Sequence, residues 1–174
     1  MAAVARSVGI QKSSLYHHFP SKEALFVAAL TAEATTSLDA VEALAKDTNR
    51  PVHARLTEAI GLCHDAMLGS SVGALVTVIA ETSRVVPEVA EGFYHGFIAR
   101  FRVALASLYD QAVAAGSHRP LTHARIDDVV FSPLLCRAME KIMFAGSPVT
   151  AEAMRAGRDR TQFIAMVEEL TRKG

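Results

Sequence analysis

The sequence has no tryptophan, few aromatic residues of any kind and only two cysteines, Cys63 and Cys136. Two cysteines cannot form the disulfide framework of a small secreted domain, so we interpret both as reduced core thiols. No apolar run approaches the roughly 20 residues that a membrane-spanning helix needs, and no signal-peptide pattern is present. We therefore expect a cytoplasmic protein without a membrane partner.

Glycine and proline are also scarce, with 10 and 6 positions among 174 residues, whereas 51% of the residues are hydrophobic. Alanine is abundant, and alanine loses less than any other residue on entering a helix. No useful stretch alternates apolar and polar residues with period two, which a half-buried strand would require. The sequence therefore predicts an all-α fold without strands.

Apolar residues recur every three or four positions, and glycine, proline or capping residues separate the segments. The predicted helices cover residues 1–7, 11–19, 22–46, 51–69, 72–85, 87–115, 122–145 and 150–172. The segment 72–85 is apolar nearly all round, which predicts a buried central helix. Pro133 should kink the helix that contains it. The break at 47–51 predicts a small module, 1–46, that includes a connecting helix, and a larger domain, 47–174.

The formal net charge is zero, from 18 basic and 18 acidic residues, which is not typical of a nucleic-acid-binding protein. The distribution of charged residues along the chain is more informative than the net charge. Residues 1–22 contain Arg6, Lys12 and Lys22 but no aspartate or glutamate. A small basic end on an otherwise neutral chain fits a local contact with DNA.

The apolar residues of this basic end suit two short helices that pack around a tight turn at Gly9. Ala5 must be small because the second helix crosses close to it, and Leu15 anchors that helix inward. The other face of the second helix then carries hydrogen-bonding and basic groups, as a recognition helix needs to meet base edges and phosphates. These exposed candidates are Gln11, Lys12, Ser13, Ser14 and His17.

The segment resembles the helix-turn-helix of the TetR/AcrR family of bacterial transcriptional regulators. The resemblance lies in Ala5-Arg6-Ser7-Val8-Gly9-Ile10, in Leu15-Tyr16-His17-His18-Phe19 and in Ser21-Lys22-Glu23-Ala24-Leu25. It implies that Lys12 and Ser13 face the bases of the major groove, with Gln11 and Ser14 at its edge. It also implies that Tyr16, His17 and Lys22 hold phosphates, Lys22 at a helix N-terminus that favours anions. Phe19 and Leu25 are expected in the core, and His18 is expected to pack within the module.

The sequence departs from the family pattern in two places. Family members usually begin with a longer helix that packs across the two helices of the helix-turn-helix. This sequence begins inside the first of those two helices, which is the second helix of the family pattern. We therefore expect exposed apolar surface on the module. Gln11 stands where the family often has serine or threonine, and glutamine is a poor helix cap, so Ser13 or Ser14 would have to compensate.

The resemblance further implies a homodimer through the last two helices and a small-molecule effector enclosed by the middle ones. Such a protein is a DNA-binding regulator, most often a repressor, that the effector releases from operator DNA. The predicted helix 87–115 carries an apolar stripe at Phe93, Phe97, Phe101, Leu105, Leu108 and Ala112. Charged residues of the middle helices, Arg100 and Arg102 among them, are expected near helix ends or opposite the phenylalanine part of this stripe, so we expect a largely apolar effector. The candidate effector-binding residues are His64, Met67, Tyr94, Phe97, Phe101, Cys136 and Met139.

Other functions find less support in the sequence. The seven histidines lack a partner ligand at metal-binding spacing, and no catalytic triad or Glu-x-x-His pair is evident, so we expect no metal, cofactor or enzymatic activity. A stand-alone ligand-scavenging protein that has lost DNA binding remains an alternative. A helical-bundle enzyme is the other.

Overall fold

The computed structural model describes residues 1–69, 72–144, 146 and 159–173. Within these residues the chain is helical, and the extended pairing consists of one isolated β-bridge between His118 and Arg172. The predicted all-α class is therefore confirmed. Among the helices described, none combines the length and the apolar character that a bilayer crossing requires.

The described helices begin and end at or near most of the predicted breaks. In chain order they are α1 (Ala2–Ser7), α2 (Lys12–His18), α3 (Lys22–Lys46), α4 (Val52–His64), α5 (Val72–Ser83), α6 (Pro87–Phe93), α7 (Ala99–Ala114), α8 (His123–Met143) and α9 (Arg160–Thr171). Gly116, with φ of 74°, ends the α7 segment in the left-handed conformation, as expected for this glycine.

Two of the long helical segments contain a π-helical turn that the sequence pattern did not predict. The turn Asp65–Gly69 continues α4, and the turn Tyr94–Ile98 joins α6 to α7 without a break in the helical backbone. Each π turn inserts a residue into the helical repeat and widens the helix locally.

The core lies where α3, α4 and α7 pack against one another, with α8 and α9 covering its other side. The predicted stripe of α6 and α7 is buried throughout, and Phe101, Leu105 and Leu108 are at most 1% exposed. Leu134 of α8 and Phe163 of α9 are buried to the same degree. The connecting helix α3 is thus part of the main core rather than a free linker.

One expectation about the helices needs correction. Helix α5 is not buried on every side, because Val78 is 38% exposed, and Val85 beyond its end is 83% exposed. Helix α8 contains Pro133 and is continuous from His123 to Met143, and the kink expected at Pro133 stays a prediction. The last helix begins at Arg160, where the Asp159 side chain accepts a hydrogen bond from the Gln162 backbone N–H at 2.8 Å. The predicted start at Thr150 lies outside the described residues.

Arg55 of α4 is buried, 5% exposed, and fastens the C-terminal end of α3 to the rest of the core. Its guanidinium donates to the backbone carbonyl of Leu44 at 2.8 Å, to that of Arg50 at 3.1 Å and to Gln111 Oε1 at 3.0 Å. Gln111 of α7 in turn donates to the Ala45 carbonyl at 3.0 Å. A cation at the negative end of a helix dipole is favourable, so this network fixes where α3 ends.

His118 is buried, 4% exposed, between α7 and the end of α9. Its Nδ1 lies 3.0 Å from Ser117 Oγ, and its ring contacts Tyr109 edge-on at 5.6 Å. Burial lowers the pKa of His118 below its ordinary 6.5, Glu168 opposes this shift, and Arg172 and His53 add to it. The folded protein therefore holds this imidazole in its neutral form at pH values where the unfolded chain is already protonated.

This difference predicts a loss of stability in acid. As the pH falls through about 6.5, the unfolded chain takes up a proton that folded His118 resists, so the free energy of unfolding decreases by at most about 1.4 kcal/mol per pH unit. Substitution of His118 by glutamine should flatten the dependence of the melting temperature on pH between 7.5 and 5.5. Equal slopes for wild type and His118→Gln would contradict this account.

Candidate nucleic-acid interface and internal cavity

Helices α1 and α2 form the small N-terminal module around a tight turn. Gly9 has φ of 71°, a left-handed conformation that residues with a Cβ rarely adopt, and Ile10 N–H then donates to the Ala5 carbonyl at 3.0 Å. Ala5 is 2% exposed and Leu15 is 4% exposed, and each is the buried residue of its helix. The predicted turn and the predicted inward anchor are both confirmed.

All the residues singled out for DNA contact lie on the surface of α2 and the start of α3. The exposed candidates are Gln11, Lys12, Ser13, Ser14, Tyr16, His17 and Lys22. The Lys12 ammonium lies over the Tyr16 ring, 5.6 Å from its centroid, so the aromatic ring helps to orient the lysine. The surface is therefore rich in donors and free of acidic side chains from residues 1–22.

Helices α2 and α3 differ in whether a side chain caps their N-termini. Ser21 caps α3 by accepting a hydrogen bond from the Ala24 backbone N–H at 2.9 Å. Gln11 precedes α2 but accepts no capping bond, and Ser13 Oγ only reaches Gln11 Oε1 at 3.5 Å. The poor cap expected for glutamine is confirmed, and the short helix α2 depends on its packing instead.

Some neighbours of the interface are placed differently from the expectation. His18 is exposed, and its ring lies beside the His17 and Phe19 rings, so the predicted packing of His18 inside the module is wrong. Phe19 and Leu25 are half-buried rather than fully in the core. Val8 is 60% exposed, which agrees with the apolar surface expected for this module.

A cavity of about 210 Å³ lies between the end of α4, the α6–α7 segment, α5 and α8. Its described lining is largely apolar, with one hydroxyl and one guanidinium. The residues that line it are Met67, Val76, Phe93, Phe97, Ile98, Arg102, Phe131, Ser132 and Leu135. Larger grooves border the outer face of α7, but they are more open to solvent and do not enclose a ligand.

Both π turns contribute to the wall of this cavity. Met67 belongs to Asp65–Gly69, and Phe97 and Ile98 belong to Tyr94–Ile98. π turns inside α-helices are frequent at functional sites because they redirect side chains and free backbone groups. Here the freed carbonyl of Leu68 accepts a hydrogen bond from Lys141 Nζ of α8 at 2.8 Å. The irregular helix geometry therefore coincides with the cavity.

The structure brings some of the candidate effector-binding residues together and separates others. Met67 and Phe97 line the cavity. Phe101 is buried beside it in the core, and His64 is buried against the Phe163 ring at 5.7 Å. Tyr94 and Met139, 44% and 47% exposed, lie on the surface.

Two further expectations about this region are wrong. Cys136 is exposed, so it is not a core thiol, whereas Cys63 is fully buried and burial raises the pKa of its thiol well above the ordinary value. Arg102 does not lie opposite the phenylalanine stripe but at the cavity wall. It follows Ile98 by one helical turn, and this spacing was the signal in the sequence that could have placed it there.

No group of three or more histidine, cysteine or acidic side chains suited to a metal ion occurs within the described ranges. His64 Nδ1 lies 3.1 Å from Asp65 Oδ1, and Asp65 Oδ2 accepts from Arg160 Nε at 3.0 Å. This chain of contacts joins the π turn after α4 to the first turn of α9. These contacts connect the two helical segments, and they place no nucleophile at the cavity.

Comparisons with known proteins agree with this architecture. Residues 1–29 match the family model described as bacterial regulatory proteins of the tetR family. The fold is similar to the crystal structure of a protein from Mesorhizobium loti MAFF303099 that is assigned to the TetR-family transcriptional regulators. The TM-score is 0.70 at 19% sequence identity, and the match covers 99% of this chain and 86% of the other. No curated protein sequence matches the chain significantly.

Proposed function

Since the N-terminal module of this chain belongs to the TetR family and the whole chain has a TetR-regulator fold, we propose that the protein is a dimeric, DNA-binding transcriptional repressor that a small effector releases from its operator. The observation that carries the proposal is that one chain presents an exposed, acid-free face on α2 and a largely apolar cavity of about 210 Å³ between its middle helices. The proposal includes no catalytic step.

Contacts between the two parts of the chain support coupling between them. Helix α6, which carries Phe93 into the cavity wall, also packs against α3, so closely that a Cβ on Gly92 would lie 3.5 Å from Val27 Cγ2. Arg100 of α7 forms a two-pronged ion pair with Glu42 of α3, at 2.9 Å for both bonds. An effector that shifts the α6–α7 segment therefore shifts α3, whose first turn carries Lys22.

The mechanism proposed from these contacts is a shift between two conformations of the dimer. Two recognition helices read DNA together only when their separation matches successive major grooves. An effector that binds better to a conformation with another separation lowers operator affinity by the ratio of its affinities for the two states. The effector then releases the protein from DNA without contacting the DNA itself.

The first test compares two lysines of the proposed DNA interface. Lys12→Ala should weaken binding to the DNA upstream of the protein's own gene by about 1–3 kcal/mol, and weaken binding to random DNA less, because it removes a base contact. Lys22→Ala should weaken both by similar factors and reduce the salt dependence, because it removes a phosphate contact. Fluorescence anisotropy titrations at several salt concentrations measure both effects.

Lys46→Ala is the matched control, since Lys46 is an exposed lysine at the far end of α3. It should leave binding to both DNAs unchanged. Equal losses of Lys12→Ala on specific and random DNA would refute base reading by Lys12. Absence of any binding by the wild type would instead favour the ligand-scavenging alternative.

The proposed dimer interface is the outer face of α8 together with α9. Met139 and Met143 lie four residues apart on α8 and are 47% and 69% exposed, and Leu170 of α9 is 44% exposed. Leu134, Phe163 and Val167 belong to the same two helices but are buried within the chain. An apolar row of this kind on a free chain is typical of a surface that a second copy covers.

We predict that light scattering at micromolar concentration gives twice the chain mass of 18.7 kDa. Met139→Lys should shift the particle to the single-chain mass, because it places a charge in the apolar row. Val103→Lys is the control, since Val103 is 70% exposed on α7 and lies outside this face. A wild-type protein that is folded and monomeric would contradict the proposed interface.

A further inference from the structure

Arg102 is the cationic residue among those described at the cavity wall, and its partners do not use all of its donors. Its Nε lies 2.8 Å from Asp127 Oδ2 of α8, but the contact lacks hydrogen-bond alignment, and the buried Nε has no hydrogen-bond partner within the described residues. A guanidinium has five N–H donors in a fixed planar fork. Most of this donor capacity is therefore available to a further acceptor.

Arg100, one half-turn earlier on α7, provides a contrast. Its Nε and Nη2 each donate to Glu42 at 2.9 Å, and Asp39 Oδ1 lies 3.5 Å from Nη2. Two carboxylates thus lie beside Arg100, whereas Arg102 has one misaligned carboxylate, that of Asp127, which lies in a neighbouring groove and not in the cavity lining. The two arginines are equally exposed, at 42% and 41% of the side chain, so burial does not explain the difference.

We propose that the effector is a small amphiphilic monocarboxylate whose carboxylate binds the Arg102 guanidinium and whose apolar body occupies the cavity between the two π turns. This inference rests on the proposed function and names the effector's chemical class. The planar fork of arginine matches a carboxylate, and a charge-assisted pair at a partly desolvated wall is stronger than a neutral one. The cavity of about 210 Å³ limits the body to a short chain or a single ring.

The probes are octanoate and its neutral isostere octanamide, tested on the full chain by isothermal titration calorimetry. Octanoate should bind wild type about 10- to 100-fold more tightly than octanamide, the range expected for a hydrogen-bonded charge. Arg102→Met, which keeps the length and apolar stem of the side chain, should remove this preference. Arg100→Met is the matched control and should retain it.

Asp127→Asn gives a prediction of opposite sign. Removal of the competing carboxylate should strengthen octanoate binding and leave octanamide binding unchanged, which a merely structural role of Arg102 would not produce. Leu135→Trp, at the partly exposed edge of the cavity, should weaken both probes because it fills the space. Melting curves of each variant, recorded without ligand, show that it is folded.

The outcomes separate this inference from the proposed function. Equal affinities for the two probes, unchanged in Arg102→Met but weakened in Leu135→Trp, would overturn the carboxylate class and leave an apolar effector site in place. Binding that Leu135→Trp does not affect would overturn the cavity as the site. Preferential octanoate binding that depends on Arg102 and increases in Asp127→Asn supports the inference, even if the DNA titrations show no binding.

Discussion

Arg55→Met should lower the free energy of unfolding by about 3 kcal/mol, which corresponds to about 6–12 °C in melting temperature for a chain of this size. The side chain is 5% exposed and makes three hydrogen bonds, two of them to backbone carbonyls. Methionine fills a similar volume but donates nothing. The buried Leu44 carbonyl then loses its side-chain donor at the end of α3.

Arg50→Met is the matched control for this change. Arg50 lies five residues away and pairs with Glu58 at 2.6 Å, but its side chain is 46% exposed. An exposed ion pair contributes at most about 1 kcal/mol, so its loss should shift the melting temperature little. Thermal and urea unfolding followed by circular dichroism measure both variants. Equal shifts would show that Arg55 does not act through its buried hydrogen bonds.

The sequence predicted most of the fold because local signals and tertiary packing agree in this chain. Gly9 and Gly116 mark turns that need positive φ, and Ser21 caps α3, as a serine directly before a helix favours. The stripe from Phe93 to Ala112 is buried as its spacing indicated. These features depend on residues three or four positions apart, which a sequence pattern records directly.

The features that were missed depend on contacts between distant segments. A π turn leaves the average apolar spacing nearly unchanged, so neither Asp65–Gly69 nor Tyr94–Ile98 stood out. Arg55 resembles any surface arginine in the sequence, and its burial depends on acceptors from α3 and α7. Arg102 was assigned to the wrong side of its helix, since its place at the cavity wall depends on the lining that α5 and α8 supply.

The proposed DNA-binding face was the easiest site to predict, since its residues are contiguous and its surface exposure follows from one buried position, Leu15. The proposed effector cavity is assembled from four separate helical segments, so its lining could not be deduced from spacing alone. Three of the residues chosen there by polarity or softness, Tyr94, Cys136 and Met139, are exposed.

Ala5→Leu should abolish specific DNA binding while leaving the rest of the protein folded. Ala5 is 2% exposed where α1 meets α2, and its carbonyl accepts the Ile10 N–H at the turn. Three extra carbons at such a contact cost about 1–3 kcal/mol of overpacking, or force the helices apart. Because the main core lies in α3 to α9, this strain is confined to the small module.

The expected result is a loss of operator affinity of at least about 100-fold, since a recognition helix that is displaced or unfolded no longer fits the major groove. The melting temperature of the main transition and the light-scattering mass should match those of wild type. Ala3→Leu is the matched control, because Ala3 lies on the same helix but is exposed. It should retain DNA binding within a fewfold of wild type. Retained binding by Ala5→Leu would show that the α1–α2 contact does not set the position of the recognition helix, and equal losses in both variants would assign the effect to the exposed surface of α1.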